Sequence, residues 1–468
     1  MLFNSLNFLI FLPVTFLVYY SLPQRSRWIF MLVASYFFYA GWKVQYLGLI
    51  AFSTVVDYFM SNLIYKTEDP FKRKVMLGVS LTINFSFLIL FKYFHFLIGG
   101  NSWFKELAAT HENIMWLQFI FEYGIPVGIS FYTFQAVSYT VDVYRKRVVP
   151  ERNLGKFALY MSFFPQLVAG PIERFSHLHP QLFKKFVPTL ETFRQAFQIA
   201  LLGFFLKMTI ADNLGSLIAP VFSNPESYAA AWKILAVALF GIQIYTDFNG
   251  YTLIAIGVAR LFGVHLMDNF RLPYGAYSIK DFWARWHISL STWFRDYVYV
   301  PLGGSKSTRS RWIMGILLTF GLSGLWHGAN VTFIYWGLIH GVYYLIEQAF
   351  FPVARDKNPG WLEKSVRWLL TMTVVGIGWL FFRADSMKIV GKFFQAVGEQ
   401  TEQLHFSLQQ VVPICVFLVI EVIIRQSRPD VYLENKKTAY RWLCYLILLF
   451  CILFFSDTGN MQFIYFQF

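Results

Sequence analysis

Cysteine is scarce. Cys415, Cys444 and Cys451 stand in apolar stretches with no C-x-x-C spacing, which excludes a disulfide framework and a thiolate zinc site. Charge is scarce as well: Asp, Glu, Lys and Arg make up 14% of the 468 residues, where a water-soluble domain carries about a quarter. With 56% hydrophobic residues, the chain is not a soluble globular protein. Acidic residues are the scarcer sign, 26 against 40 basic, for a net charge of +14. The cations are divided among short loops between apolar runs and gather on no soluble face, so nucleic acid is excluded as a partner. H-E-x-x-H, Walker A and G-x-S-x-G motifs are absent, which removes the zincins, the P-loop enzymes and the α/β-hydrolases. No metal and no bound cofactor is expected. There is no internal repeat and no low-complexity segment. The first apolar segment, Phe8–Tyr20, lacks a positive n-region and a small-x-small cleavage site, and reads as a retained helix.

What is abundant is apolar and aromatic: 53 Phe, 27 Tyr and 15 Trp. Apolar runs fall at Phe8–Leu22, Trp28–Trp42, Tyr46–Tyr65, Val75–Ile98, Met115–Thr140, Phe193–Ile210, Ala230–Phe262, Trp312–Leu325, Val331–Phe351, Trp368–Phe382, Val411–Ile424 and Trp442–Phe455. Several are shorter than the roughly 20 residues that cross a bilayer, so some are tilted, broken or re-entrant. The expectation is an all-α polytopic membrane protein with about eleven crossings, built as one domain over residues 1–468. The piece Leu159–Val168 is too short to cross, and Pro165 and Pro171 favour a re-entrant or interfacial helix. Basic residues mark alternate loops, at Arg25–Arg27, Lys66–Lys74 and Arg145–Arg152. The loops around Lys43 and from Gly99 to Asn113 are poor in them. The positive-inside rule then puts the N-terminus outside the cytoplasm, and the loop 264–311 inside.

Two Trp-His pairs carry the chemistry. Trp326-His327-Gly328 lies within the apolar segment 312–350, where an unpaired imidazole costs several kcal/mol and ionisable groups usually line a cavity or pathway. Trp286-His287 lies in the aromatic, basic loop 264–311. There Ser278 and Asp281 form a helix N-cap box. The helix that follows is expected to run from Asp281 to about Tyr297, to place Trp283, His287 and Ser291 on one face, and to pair Asp281 with Arg285. Taken alone, such a helix is an interfacial anchor; the second histidine is what favours a reaction centre. Gly321, Gly324, Gly328 and Asn330 interrupt the apolar run around His327, as backbone packed on protein or lining a cavity does. His327 and Asn330, three apart, are expected on one helix face. His340 reads as a hydrogen-bonded packing residue, and Glu421 with Arg425 as a structural pair. Asp57, Asp142, Lys207 and Asp247 sit in or beside apolar runs, paired or functional. Asp247 either orients a histidine, lines a passage or bonds a neighbouring helix.

A histidine suits removal of a hydroxyl proton near neutral pH. With no nucleophile motif present, direct transfer assisted by a base is the simplest chemistry. If the donor is an acyl thioester of coenzyme A, its phosphates find cations in Lys280, Arg285, Arg295, Lys306, Arg309 and Arg311; membrane topology alone also accounts for them. A transporter or channel, in which the buried ionisable residues form an ion path, and a catalytically silent scaffold are the rival readings.

The stretches Asp281 to Ser291, Tyr297 to Gly304 and Gly324 to Asn330, with Ser130 to Gln135, Phe164 to Ile172 and Phe463 to Phe468, closely resemble the membrane-bound O-acyltransferase (MBOAT) family. Within it they are most similar to the alginate O-acetyltransferase membrane-subunit branch, with the D-alanyl-lipoteichoic acid branch as a cousin. The resemblance covers almost the whole chain; Ala284 departs from the polar or basic residue usual there. It implies a multi-helix fold around a central tunnel, His327 at the position of the family's catalytic histidine, and His287 where other branches carry Asn. It further implies transfer of an acetyl or other small acyl group from cytoplasmic acetyl-CoA, a substrate and not a cofactor, to an exported or cell-surface polysaccharide. Transfer would be direct or through a secreted or membrane-tethered SGNH-type partner. The protein would then span the bilayer of a bacterial inner membrane. Trp283, Arg285, Ser291, Asn330, Asp247 and Arg295 are the expected substrate-binding residues beside the two histidines. D-alanyl or other acyl transfer to teichoic acid or peptidoglycan is the alternative within the family.

Overall fold

The computed structural model describes residues 1–93, 126–168, 170–351, 360–395, 402–424, 428–457 and 463–464. Among these every regular element is helical, apart from an isolated bridge between Tyr228 and Glu402. Residues 99–113 and 115–125, the basic-poor loop and the start of one expected span, lie outside the described residues. The chain divides into two compact units, Met1–Ala196 with Ala255–Met267, and Phe197–Ile254 with Asp268–Phe468.

The first unit holds α1 (Leu6–Ser21), α2 (Gln24–Ala40), α3 (Tyr46–Lys66), α4 (Pro70–Leu88), α5 (Ile129–Tyr144), α6 (Leu154–Ser162), α7 (Phe164–Leu167) and α8 (Phe175–Leu182). Several of these helices start where a polar side chain takes a free N–H of the first turn: Ser5 from Phe8, Asp69 from Phe71, Asn153 from Lys156. The short α6 and α7 cover most of the predicted Leu159–Val168 piece, and neither is long enough to cross a bilayer. Gln135 ties them to α5, donating to Tyr160 O at 2.8 Å and accepting from Gln166 at 3.0 Å. Asp57 is satisfied locally, by Ser80 Oγ at 2.6 Å and Asn84 Nδ2 at 2.8 Å. A carboxylate so enclosed ties α3 to α4.

Two long runs contribute to the second unit: α9 (Leu190–Phe204), which continues through a π-helical stretch Phe205–Ala211 into α10 (Asp212–Ser223), and α11 (Ala230–Leu261). The short helices α12 (Ile279–Arg285) and α13 (Ile288–Phe294) follow, then α14 (Arg309–His327), α15 (Val331–Phe350), α16 (Trp361–Arg383), α17 (Met387–Phe393), α18 (Leu408–Ile424), α19 (Pro429–Leu433) and α20 (Thr438–Phe455).

Six stretches among the described residues are long and apolar enough to cross a membrane: Tyr46–Lys66, Pro70–Tyr93, Leu190–Ser223, Ala230–Leu261, Trp361–Arg383 and Thr438–Phe455. Leu6–Ser21 and Leu408–Ile424 are shorter apolar helices. In Thr438–Phe455 only 11% of the span is buried, and Leu443, Leu446, Phe450, Leu453 and Phe454 point outward. That much exposed apolar surface is stable only with hydrocarbon as its solvent.

α14 and α15 form a close hairpin through their glycines. A Cβ on Gly324 would run into the carbonyl of Phe333, and one on Gly337 into the carbonyl of Phe320. Helices packed without a hydrophobic driving force gain from such backbone approach. Gly324→Leu is therefore expected to lower the unfolding midpoint in detergent, by overpacking worth about 1–3 kcal/mol or more. Gly321→Ala, whose nearest new neighbour is Leu338 Cδ2 at 3.7 Å, is expected to leave it unchanged. Equal midpoints for the two variants would contradict this packing.

Candidate active site

The loop that carries His287 begins as its sequence indicates. Ser278 Oγ accepts the Asp281 N–H at 3.0 Å, and Arg285 Nε binds Asp281 Oδ1 at 2.8 Å. Glu347 of α15 fixes the entry, its Oε1 taking the Ile279 N–H at 2.9 Å. The expected continuous helix to Tyr297 does not form. His287 sits between α12 and α13 in the left-handed region, φ 42° and ψ 55°, which costs an L-residue about 1–2 kcal/mol. The one-face alignment of Trp283, His287 and Ser291 is thereby corrected.

Asn269 supplies the compensation. Its carbonyl accepts Ile288 N–H at 2.9 Å, its Oδ1 accepts Ser289 Oγ–H at 2.7 Å and Ser289 N–H at 3.3 Å, and its Nδ2 donates to Thr252 at 3.3 Å. A buried asparagine thus clamps the two residues after the histidine and aims the ring. Nothing in the spacing of the sequence marks Asn269, because the contact spans a loop.

The turn swings His287 toward the end of α14. The rings of His287 and His327 lie 6.5 Å apart between centroids, with Trp326 at 6.0 Å from His287. Phe248 of α11 stands edge-on to His287 at 4.5 Å. Around His327 are Trp326 at 4.9 Å, Trp336 at 4.8 Å and Phe382 at 5.2 Å. His287 is 0% exposed and His327 3%. One atom bonded to a nitrogen of each ring at about 2.6–3.2 Å needs those nitrogens about 6 Å apart or closer, a spacing the centroids allow. His287 lies outside the long apolar helices, and burial pushes its pKa down to about 3. At neutral pH it is an uncharged imidazole, able to donate one hydrogen bond and accept another. The indole N–H of Trp336, 1% exposed, has no hydrogen-bond partner among the described residues.

The other expected binding residues disperse. Trp283 packs on Phe320, Trp336 and His340 at 5.2–5.6 Å. Arg285 is held by Asp281, and Ser291 Oγ donates to Trp286 O at 3.1 Å. Arg295 is exposed and binds Asp296 at 2.8 Å. Asn330 does not share a helix face with His327: α14 ends at His327, Gly328 is extended, and Asn330 caps α15 by accepting Thr332 N–H at 3.1 Å while donating to Asp385 O at 2.7 Å. Asp247 pairs with Lys207 at 2.7 Å. His340 is a packing residue, enclosed by Phe282, Trp283 and Trp336. Neither of its nitrogens has a hydrogen-bond partner among the described residues, so the hydrogen-bonded half of that expectation is corrected. Glu421 accepts Tyr245 O–H at 3.1 Å; Arg425, its expected partner, lies outside the described residues.

The model of the membrane-bound O-acyltransferase family matches residues 145–382, which contain both histidines. The chain is 39% identical over 404 residues to the probable alginate O-acetylase AlgI of Pseudomonas putida, covering 85% of this chain and 80% of that protein. It is 32% identical over 420 residues to the peptidoglycan O-acetyltransferase of Helicobacter pylori, covering 83% and 78%. A 29% identity over 285 residues links it to the teichoic acid D-alanyltransferase of Streptococcus thermophilus, covering 55% and 68%.

A depressed His287 pKa has a consequence for acid stability. The native state holds fewer protons at this site than the unfolded chain, whose histidine titrates near 6.5. Stability is therefore whole above that value and falls, by up to about 1.4 kcal/mol per pH unit, as pH drops from about 6.5 toward 3. His287→Asn preserves the left-handed turn, which Asn tolerates. It is expected to lose less of its unfolding midpoint than wild type between pH 7 and pH 5; an identical loss would contradict the burial of a neutral imidazole.

Proposed function

This chain belongs to the membrane-bound O-acyltransferase family and is a multi-pass membrane O-acyltransferase; from that premise we propose that it moves an acetyl group from cytoplasmic acetyl-CoA to an exported or cell-surface polysaccharide. The observation that carries the assignment of the site is the pair of buried imidazoles, His287 and His327, 6.5 Å apart. In this reading a ring nitrogen of His327 takes the proton of the acceptor hydroxyl as its oxygen attacks the thioester carbonyl carbon. The C–S bond breaks, the proton passes to the departing thiolate, and free coenzyme A leaves as the ester forms. Base assistance of this kind contributes about 10²–10⁴-fold. His287, neutral at working pH, donates to the carbonyl oxygen. The Trp336 ring packs on His327 at 4.8 Å, and its N–H, buried without a partner among the described residues, is assigned as a second donor for the developing oxyanion. Donors aimed at that charge in a dry site are usually the largest catalytic term.

The donor's phosphates are assigned to the cations of the 264–311 loop and the start of α14. Lys280, Lys306, Arg309 and Arg311 are exposed there, whereas Arg285 and Arg295 are already engaged by carboxylates. Trp326, Trp336 and Phe382 close over His327, so both substrates reach it when these rings give way. Acetyl is favoured over D-alanyl because the acetylating relatives match more of the chain at higher identity. A secreted or membrane-tethered SGNH-type transferase completes the delivery where transfer is indirect, and the bacterial inner membrane is the site of action.

The purified protein, reconstituted in vesicles with labelled acetyl-CoA, a candidate glycan and such a partner, is expected to release coenzyme A and label the glycan. His327→Ala is expected to lose about 10²–10⁴ in turnover. Transfer by His327→Ala at the wild-type rate would remove the base assignment, and substrate uptake without thiol release would mark a transporter.

A further inference from the structure

The helical run from Leu190 to Ser223 is interrupted by the π-helical stretch Phe205–Ala211, an irregularity that frequently accompanies a functional site. Lys207 lies in it, 1% exposed. The run meets α11 where two glycines face each other: a Cβ on Gly250 would stand 2.8 Å from Gly203 O and 3.0 Å from Lys207 N. This approach sets Lys207 Nζ at 2.7 Å from Asp247 Oδ1 and equally 2.7 Å from Asp212 Oδ1.

One cation thus serves two carboxylates, and Asp247 spends its other oxygen elsewhere. Its Oδ2 accepts the backbone N–H of Ile464 at 2.7 Å, across 217 residues of sequence. The neighbouring Phe463 is fully buried; its ring lies 4.4 Å from Tyr251 and 5.8 Å from Phe248. Phe248 is the ring that stands edge-on to His287 at 4.5 Å. At the end of α20, Asn213 Nδ2 donates to Phe455 O at 2.6 Å and Ser216 Oγ to Asp457 at 2.6 Å. A buried ion pair is weak support for stability, since desolvation offsets its attraction. This one has another use, because it orders a peptide segment against the ring that backs a reacting imidazole.

We propose that the Lys207–Asp247 pair, through the Phe463–Ile464 segment it fastens, is a positioning device for His287. The inference rests on the assignment of the reacting centre to His287 and His327. Asp247 selects Phe463 as the wedge behind Phe248, and Phe248 limits the tilt of the imidazole toward the acyl carbonyl. Lys207, Asp247 and Phe463 touch no substrate in this account; they act through Phe248.

The test uses the full-length protein in vesicles, with coenzyme A release as one readout and hydrogen exchange of the Ile464 amide as another. Asp247→Leu leaves Lys207 its 2.7 Å pair with Asp212, and its unfolding midpoint in detergent is measured alongside. Its Ile464 amide is expected to exchange at least about tenfold faster, and kcat to fall about 10- to 100-fold with KM for the acyl donor within about twofold, the mark of lost positioning and not of lost binding. Phe463→Ala is expected to lower kcat in the same way, and Phe463→Leu to restore most of it. Wild-type kcat in Asp247→Leu with a released Ile464 amide would overturn the inference. So would a loss of kcat that tracks the unfolding midpoint and is not recovered by Phe463→Leu. His327→Ala measured in parallel separates the two claims: full turnover there removes the site assignment itself, while the Ile464 exchange, which needs no turnover, still reports whether Asp247 holds the segment.

Discussion

The left-handed turn at His287 is the constraint on which the rest depends. A helix continued through that residue would carry the imidazole along one face of an interfacial rod, away from the end of α14. The break instead turns the ring inward, and its cost of about 1–2 kcal/mol is offset by the hydrogen bonds that Asn269 makes to Ile288 and Ser289. Glu347 of α15 holds the start of α12. Both supports are buried, Asn269 reached across the loop and Glu347 from α15. Each keeps a single backbone conformation in place, and with it the distance between the two histidines.

Much of this was legible in the residues, and what was not follows from the range of the interactions. The N-cap at Ser278, the Asp281–Arg285 pair and the non-crossing piece near Pro165 are local, fixed by neighbours within four residues, and the structure reproduces them. The six long apolar stretches follow from composition alone, whereas the helices over the expected runs Trp28–Trp42, Trp312–Leu325 and Val331–Phe351 are not among them. The break at His287 was not legible, because its cause is Asn269, reached across a loop. The same holds for Asn330: three-residue spacing suggested a shared face with His327, but the chain leaves the helix at Gly328 and Asn330 begins the next one. Trp336 reaches His327 only because Gly324 and Gly337 let two helices approach to backbone contact, a consequence of tertiary packing.

The buried ionisable residues sort themselves by what surrounds them. Asp57 is enclosed by hydroxyls and an amide, Glu421 takes a tyrosine hydroxyl, and Lys207 is shared between Asp212 and Asp247. Each is satisfied by its own neighbours, as buried polar groups that join helices are. His287 and His327 are buried among aromatic rings, and in such water-poor surroundings a hydrogen bond made to a substrate is strengthened.

If His287 and His327 form the reaction centre, a single acyl carbonyl contacts both imidazoles. A cryo-electron microscopy structure of the protein with a non-hydrolysable acetyl-CoA analogue tests it most directly. The account predicts the acyl carbonyl between His287 and His327, its oxygen within hydrogen-bond reach of His287 and its carbon facing a nitrogen of His327, with Trp326, Trp336 or Phe382 displaced from its position here. An analogue seated elsewhere, with both imidazoles still sealed by those rings, would contradict it.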